Sequence, residues 1–103
     1  MSEAIRIRAR AKGALTEALI LMPHPMETGL RRNASGALIP AHFITEVKVL
    51  VESRLVFGAQ MSLAVSRDPL LSFRFRGGKP GDRIEVSWLD NRGDRRTDVG
   101  IIA

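Results

Sequence analysis

Residues 55–65 read LVFGAQMSLAV, and this stretch decides the fold class because every second side chain in it is apolar. An alternation with a period of two is typical of a β-strand that buries one face against a core. The turn-forming residues 52–54 precede the stretch and residues 66–69 follow it, so both ends of the strand are predicted. The side chains expected to face inward are Leu55, Phe57, Ala59, Met61, Leu63 and Val65.

Outward from this strand the same period recurs at residues 5–12, 43–51, 71–76 and 84–88, and a turn at 90–94 leads into a last predicted strand near 97–102. In 43–51 a helical spacing competes with the alternation, and the density of β-branched residues favours a strand. Residues 15–22 fit a short helix nearly as well as a buried strand, so the pattern leaves both open there. About seven short strands with turn signals between them predict an all-β fold, an immunoglobulin-like antiparallel β-sandwich. The predicted core residues are Val47, Val49, Phe57, Met61, Phe73, Phe75, Val86 and Trp88.

The length of 103 residues suits one domain, so residues 1–103 are expected to form a single sandwich. Such a small domain buries a limited core, and dependence on a partner subunit is therefore expected. No apolar run approaches the roughly 20 residues that a membrane-spanning helix needs, so we expect no membrane contact. Residues 1–10 lack the apolar core of a secretory signal, which predicts a chain without its own export signal.

The absence of cysteine removes several classes of function: a thiol nucleophile, a disulfide framework, an iron–sulfur cluster and a Cys-ligated zinc site. The two histidines, His24 and His42, lack the close spacing of a preformed metal pair, so we predict neither a metal site nor another cofactor. The sequence also lacks a G-x-S-x-G elbow, a phosphate-binding glycine loop and a paired-carboxylate motif. We therefore predict that the chain is not an enzyme.

Basic residues outnumber acidic residues by 16 to 11, and most of them are arginine. The planar fork of arginine binds carboxylates and phosphates, so an acidic protein and a nucleic acid are both candidate partners. Single-strand binding needs exposed aromatic rings, whereas all aromatic residues except Phe43 are predicted to face inward. We therefore predict that nucleic acid is not a partner. The alternative function is that of a small basic β-domain that binds single-stranded nucleic acid.

The first predicted strand carries a stripe of cations on the face opposite its apolar side chains. The stripe consists of Arg6, Arg8, Arg10 and Lys12. One interpretation is an edge strand whose charges prevent pairing with another chain. The other interpretation is docking to an acidic protein surface. The sequence leaves both open.

Residues 26–40 are predicted to be a long loop, because glycines, prolines and Asn33 interrupt them and few apolar positions alternate. Ordered loops of this length in a compact domain often contact another molecule. Just before the loop, His24 lies between Pro23 and Pro25, which restrict its backbone. This arrangement suits recognition from a stiff segment.

Seven short motifs follow one another along nearly the whole chain in the order of a known family. They are HPMETG at 24–29, IPAHFI at 39–44, VS at 65–66, DP at 68–69, FRF at 73–75, GD at 81–82 and WLDNRG at 88–93. Together they resemble the SoxZ subunit of the SoxYZ sulfur carrier complex of bacterial thiosulfate oxidation. Two positions depart from the family pattern: the turn at 52–54 lacks a glycine, and Asp68 replaces the usual asparagine.

The resemblance implies a noncatalytic, immunoglobulin-like subunit that forms a heterodimer with SoxY, whose C-terminal cysteine carries the sulfur intermediates covalently. It also implies that the pair presents this cysteine to the other Sox enzymes in transient contacts. Export to the periplasm would depend on the signal-bearing partner, and self-association of the isolated subunit stays open. The partner-binding residues that we predict, for recognition and not for bond making, are His24, Pro25, Met26, Glu27, Thr28, Gly29, Arg31 and Arg32.

Overall fold

The computed structural model describes residues 3–61 and 65–103, which form seven β-strands in two antiparallel sheets. The strands are β1 (Arg6–Lys12), β2 (Leu15–Leu21), β3 (Ile44–Val51), β4 (Arg54–Gln60), β5 (Leu70–Arg76), β6 (Arg83–Asp90) and β7 (Arg95–Ile101). One sheet has the order β1-β2-β5 and the other has the order β4-β3-β6-β7. The predicted immunoglobulin-like β-sandwich of about seven strands is confirmed. Within the described part of the chain, no helix is long and apolar enough to cross a membrane.

The segment that fitted either a helix or a strand forms β2, the central strand of its sheet. It pairs with β1 along one edge and with β5 along the other, so its backbone hydrogen-bonding groups find partners on both sides. Thr16, Ala18 and Ile20 alternate into the interior and are buried. The choice of a strand therefore depends on neighbouring strands, one of them distant in sequence, and not on local periodicity.

The core lies between the two sheets. Five of the eight predicted core residues are buried, namely Val47, Val49, Phe75, Val86 and Trp88. The other three are partly buried and pack against this core, namely Phe57, Met61 and Phe73. Phe57 of β4 stacks on Phe73 of β5 with ring centroids 4.4 Å apart. Because β4 and β5 are edge strands of different sheets, this aromatic pair joins the two sheets along one side of the sandwich.

One feature of the predicted fourth strand is wrong, because Leu55 is 59% exposed instead of buried. Val49 of β3 pairs with Phe57, whereas the next residue of β3 pairs with Leu55. Val56 is therefore the extra residue of a β-bulge, and a bulge reverses the inside–outside alternation beyond it. Strand β4 also ends earlier than predicted, and the predicted inward residue Leu63 lies outside the described residues.

A two-residue turn joins β3 to β4 without a glycine. Glu52 and Ser53 both have a positive φ, of 47° and 66°. Positive φ at both central residues characterises the type I′ turn, which matches the twist of a hairpin and usually contains asparagine and glycine. The Glu52 carboxylate accepts a hydrogen bond from the backbone N–H of Arg83 at 2.7 Å, so this turn also contacts the start of β6.

Between β2 and β3 the chain forms a two-stranded projection, residues 27–42, which we name the arm. Antiparallel bridges pair Glu27 with His42 near the root and a second pair of residues near the tip, so the predicted loop is a hairpin. The side-chain oxygen of Asn33 closes the tip by accepting hydrogen bonds from two backbone N–H groups and a hydroxyl. The molecule is accordingly elongated, with a radius of gyration of 15.4 Å, against about 13 Å for a compact chain of this length.

Candidate functional site

The root of the arm and the β6–β7 turn lie at the same end of the sandwich. Strands β3 and β6 are antiparallel neighbours, so the start of β3 lies beside the end of β6. The arm leaves the body after β2 and returns at β3, which places its returning strand next to the turn. Three polar side chains meet at this end and are buried or half-buried: His24, His42 and Asp90.

The Asp90 carboxylate accepts four hydrogen bonds. Its Oδ2 accepts from Nε2 of His24 at 3.1 Å and from Nε2 of His42 at 2.7 Å. Its Oδ1 accepts from the backbone N–H groups of Arg92 and Asp94, at 3.0 and 2.9 Å, and these bonds shape the turn. One carboxylate therefore joins both sides of the arm root to the β6–β7 turn. We name His24, His42 and Asp90 the histidine clamp.

The protonation of the clamp follows from its burial and its hydrogen bonds. Burial raises the pKa of Asp90, but the hydrogen bonds that it accepts outweigh burial and leave this pKa below its usual range. Burial lowers the pKa of His24, and the opposing effect of the bond to Asp90 does not compensate. The backbone N–H of Met26 donates to Nδ1 of His24 at 3.1 Å. The proton of the neutral His24 ring therefore lies on Nε2, from which it is donated to Asp90.

The clamp has the composition of a metal site, since two imidazoles and a carboxylate offer ligand atoms within 4.8 Å of one another. Coordination by Nε2 of His24 would require the ring proton to move to Nδ1. That nitrogen faces the N–H of Met26, so two N–H groups would then oppose each other. The contacts of His24 thus fit a hydrogen-bonded histidine better than a metal ligand. That the protein uses no metal stays a prediction.

Two further residues hold the backbone of the arm root. Asn91 accepts a hydrogen bond from the N–H of Phe43 at 2.8 Å and donates one to the carbonyl of Ala41 at 3.0 Å. Asp68, with a positive φ of 52°, accepts from the N–H of His24 at 2.9 Å. The N–H of Asp68 in turn donates to the carbonyl of His24 at 3.0 Å. Both strands of the arm are therefore fixed to the body.

The predicted partner-binding residues divide into two groups. His24 and Met26 are buried, 4% and 6% exposed, so they support the arm from inside and offer little surface to a partner. The exposed or half-buried residues are Pro25, Glu27, Thr28, Gly29, Arg31 and Arg32. Arg31 forms an ion pair with Glu27, in which Nε lies 3.2 Å from a carboxylate oxygen. Contact of the second group with a partner stays a prediction.

The arm also exposes two leucines that are not among the predicted partner-binding residues. Leu30 is 82% exposed and Leu38 is 53% exposed. Both lie in the distal part of the arm, where every residue from 30 to 38 is exposed. Large apolar side chains on a fixed projection are typical of a surface that another molecule covers, because the projection has no core in which to bury them.

A pocket of about 280 Å³ lies beside the clamp. Its acidic lining residues are Glu3, Asp68, Asp90 and Asp94, and its arginines are Arg67 and Arg95. Among the described residues the lining contains no hydroxyl, thiol or amine side chain, so it offers no serine, threonine, cysteine or lysine nucleophile. Trp88 packs edge-on against His24 with centroids 5.0 Å apart, and its buried indole N–H has no partner among the described residues. The excess of carboxylates makes the pocket unsuitable for an anion.

The clamp was not predicted from the sequence, because motif spacings reveal only residues that are close along the chain. Asp90 lies 66 residues from His24 and 48 residues from His42. The predicted topology nevertheless contained a usable signal. In an immunoglobulin-like sandwich the connection between the second and third strands lies at the same end as the turn between the last two strands. Both histidines belong to the first connection, and Asp90 begins the second.

Comparison with known proteins places this fold and arm in a family. A family model described as sulphur oxidation protein SoxZ matches residues 5–100, which is nearly the whole chain. A search of curated proteins finds no significant match. The matched range includes all seven strands except the last residue of β7, and it includes the arm and the clamp. The chain therefore belongs to the SoxZ family, whose role lies in sulfur oxidation.

Proposed function

We propose that this protein binds SoxY in a stable heterodimer and supports it during thiosulfate oxidation. The SoxZ family works with SoxY in the Sox system as a noncatalytic component. The cysteine that carries sulfur would belong to SoxY, since this chain contains none. In this division of tasks the partner supplies the reactive thiol and this chain supplies a rigid binding surface.

The observation that carries the proposal is the arm with its exposed leucines. The histidine clamp fixes the root, and the side chains of Leu30 and Leu38 are left in water. Burying a leucine side chain contributes about 1.5–3 kcal/mol, so covering both would contribute substantially to a stable complex. Because the arm is already ordered, little conformational entropy is lost when the partner binds.

Two members of the clamp, His24 and Asp90, support a binding role and not a catalytic one. Both ring nitrogens of His24 make hydrogen bonds. The Asp90 carboxylate accepts four hydrogen bonds in total. A general base needs a lone pair that can reach the substrate, which these two groups do not offer.

We propose that the heterodimer acts in the periplasm after export with SoxY, and that it presents the SoxY thiol to the other Sox enzymes in transient contacts.

Co-expression with SoxY tests the proposal. We expect a 1:1 complex in size-exclusion chromatography with light scattering, and we expect it to persist in 1 M salt (about the concentration at which exposed charges are screened within 3 Å). A stable interface rests mainly on apolar burial, which salt does not weaken. Recovery of two separate monomers at micromolar concentration would contradict the proposal.

The paired variant Leu30→Asp/Leu38→Asp locates the interface. We expect it to weaken SoxY binding at least about tenfold in calorimetry, because each buried leucine is worth more than 1 kcal/mol. The matched control is Leu55→Asp, which alters a leucine of similar exposure on β4. Equal loss of binding in the control, or none in the arm variant, would place the interface elsewhere.

A further inference from the structure

The outer face of the β1-β2-β5 sheet carries a charge equal to the net charge of the whole protein. Six of the 16 Lys and Arg side chains lie on it, together with one of the 11 Asp and Glu side chains. The face therefore has a charge of +5, and the basic and acidic residues of the rest of the chain balance. We name this surface the cationic face. Its cations are Arg6, Arg8, Arg10, Lys12, Arg74 and Arg76.

The strand register arranges these cations in two rows. One row lies on β1 and the other on β5, with the central strand β2 between them. Two strand spacings separate the rows, about 10 Å, and cations within a row follow each other at about 6.6 Å. Leucines occupy much of the space between and beside the rows. They are Leu15, Leu19, Leu21 and Leu70, all partly or largely exposed.

Only one carboxylate lies on the cationic face. Glu17 on β2 bonds to Lys12 at 3.1 Å and to Arg74 at 3.5 Å. Within residues 3–61 and 65–103 the other four cations of the face form no ion pair with a carboxylate; these are Arg6, Arg8, Arg10 and Arg76. Four arginine forks are thus held in register, with their donors free to bind carboxylates of another molecule.

We propose that the cationic face binds an acidic protein surface that also carries aliphatic side chains, at a site separate from the arm. The arginine forks would bind carboxylates, and the leucines would give apolar contact between them. A second copy of this chain does not fit, because two faces of +5 would oppose each other. Nucleic acid fits less well, since no aromatic side chain lies on this face for bases to stack on.

The test uses the full chain labelled with ¹⁵N and three probes. They are a 16-residue peptide rich in Glu and Leu, the same peptide with Lys in place of Glu, and a single-stranded dT oligonucleotide of equal charge. We expect the acidic peptide to shift amide signals of β1, β2 and β5 selectively, and we expect the lysine peptide to shift none. Tighter binding of the oligonucleotide than of the peptide, or peptide shifts spread over both sheets, would overturn the proposal.

A charge-matched pair of variants separates this face from a general effect of net charge. Arg8→Gln/Arg10→Gln is expected to weaken peptide binding about three- to thirtyfold, from two exposed ion pairs. Arg54→Gln/Arg83→Gln removes the same charge from the other sheet and is expected to change binding less than about twofold. Equal loss in both would overturn the proposal. Leu30→Asp/Leu38→Asp alters the arm alone and should bind the peptide normally, so a failure of this proposal can be distinguished from a failure of the SoxY proposal.

Discussion

At the scale of single residues, Asp90 connects the root of the arm to the β6–β7 turn. Its Oδ2 holds both histidines of the arm root, and its Oδ1 holds two backbone N–H groups of the β6–β7 turn. All four donors point at one buried carboxylate. The attachment of both histidine side chains therefore depends on this one carboxylate, whereas Asn91 and Asp68 hold the backbone of the arm root.

We expect Asp90→Asn to lower the free energy of unfolding by about 2–4 kcal/mol, because an amide must turn its NH₂ group toward N–H donors. Urea denaturation measures the change. The control is Asp94→Asn in the same turn, whose side chain is 66% exposed and which should change stability by less than about 0.5 kcal/mol. An equal effect of the two variants would contradict a stabilising role of the hydrogen bonds to Asp90.

The clamp also makes stability depend on pH, with a direction that follows from the pKa shifts. Burial lowers the pKa of His24 in the folded state below 6.5, so the folded protein binds fewer protons than the unfolded chain. The contribution of His24 is therefore complete above pH 6.5 and is lost as pH falls below it. Asp90, whose pKa is lowered from 3.8, contributes above that value and loses its contribution in more acidic solution.

We expect the urea concentration at the unfolding midpoint to decrease as the pH is lowered from 7.5 to 5, because His24 is protonated at a higher pH in the unfolded state than in the folded state. Imidazole ¹⁵N shifts measure the same group directly and should show a neutral ring protonated at Nε2 at pH 7. An imidazolium signal from His24 at pH 7, or a midpoint that rises on acidification, would contradict this assignment.

At the scale of elements, the β3–β4 turn contains avoidable strain. Ser53→Gly should stabilise the fold by about 1 kcal/mol, because glycine adopts a positive φ without the steric cost that a Cβ carries there. Thermal or urea unfolding measures the gain. Ser53→Ala keeps the Cβ and serves as the control, with no gain expected. Glu52 is left unchanged, since its carboxylate binds the start of β6. Destabilisation by glycine would show that φ strain is not limiting.

The elements differ in how well the sequence predicts them. Alternation identified β1, whose apolar parity is buried or half-buried and whose other parity is mostly exposed. In β3 a helical spacing competed with the alternation, and the density of β-branched residues correctly favoured a strand. Alternation could not decide β2, whose apolar side chains suit a helix and whose pairing with β5 is non-local. It placed Leu55 on the wrong face, because the extra residue of a β-bulge is defined relative to the neighbouring strand and does not show in the alternation of one strand. The exposed arm was predicted as a contact segment, but its hairpin pairing was not.

At the scale of the whole molecule, the long-range contacts are what local patterns could not predict. The clamp joins residues from the second connection and the last turn, and only the strand order brings them together. The predicted topology places the connection with both histidines and the turn that begins at Asp90 at the same end of the sandwich, and so it already indicated their proximity. The cationic stripe on β1 was visible in the sequence, whereas the contribution of β5 required the sheet order.

The charge distribution of the cationic face has a consequence for diffusion. A surplus of positive charge at one side of a molecule whose remainder is balanced creates a strong electric dipole. An approaching acidic protein therefore exerts a torque that rotates this sheet toward it before any atoms touch. The torque acts within about one Debye length, roughly 8 Å at physiological salt, so most encounters would begin in a single orientation, and added salt would make them random.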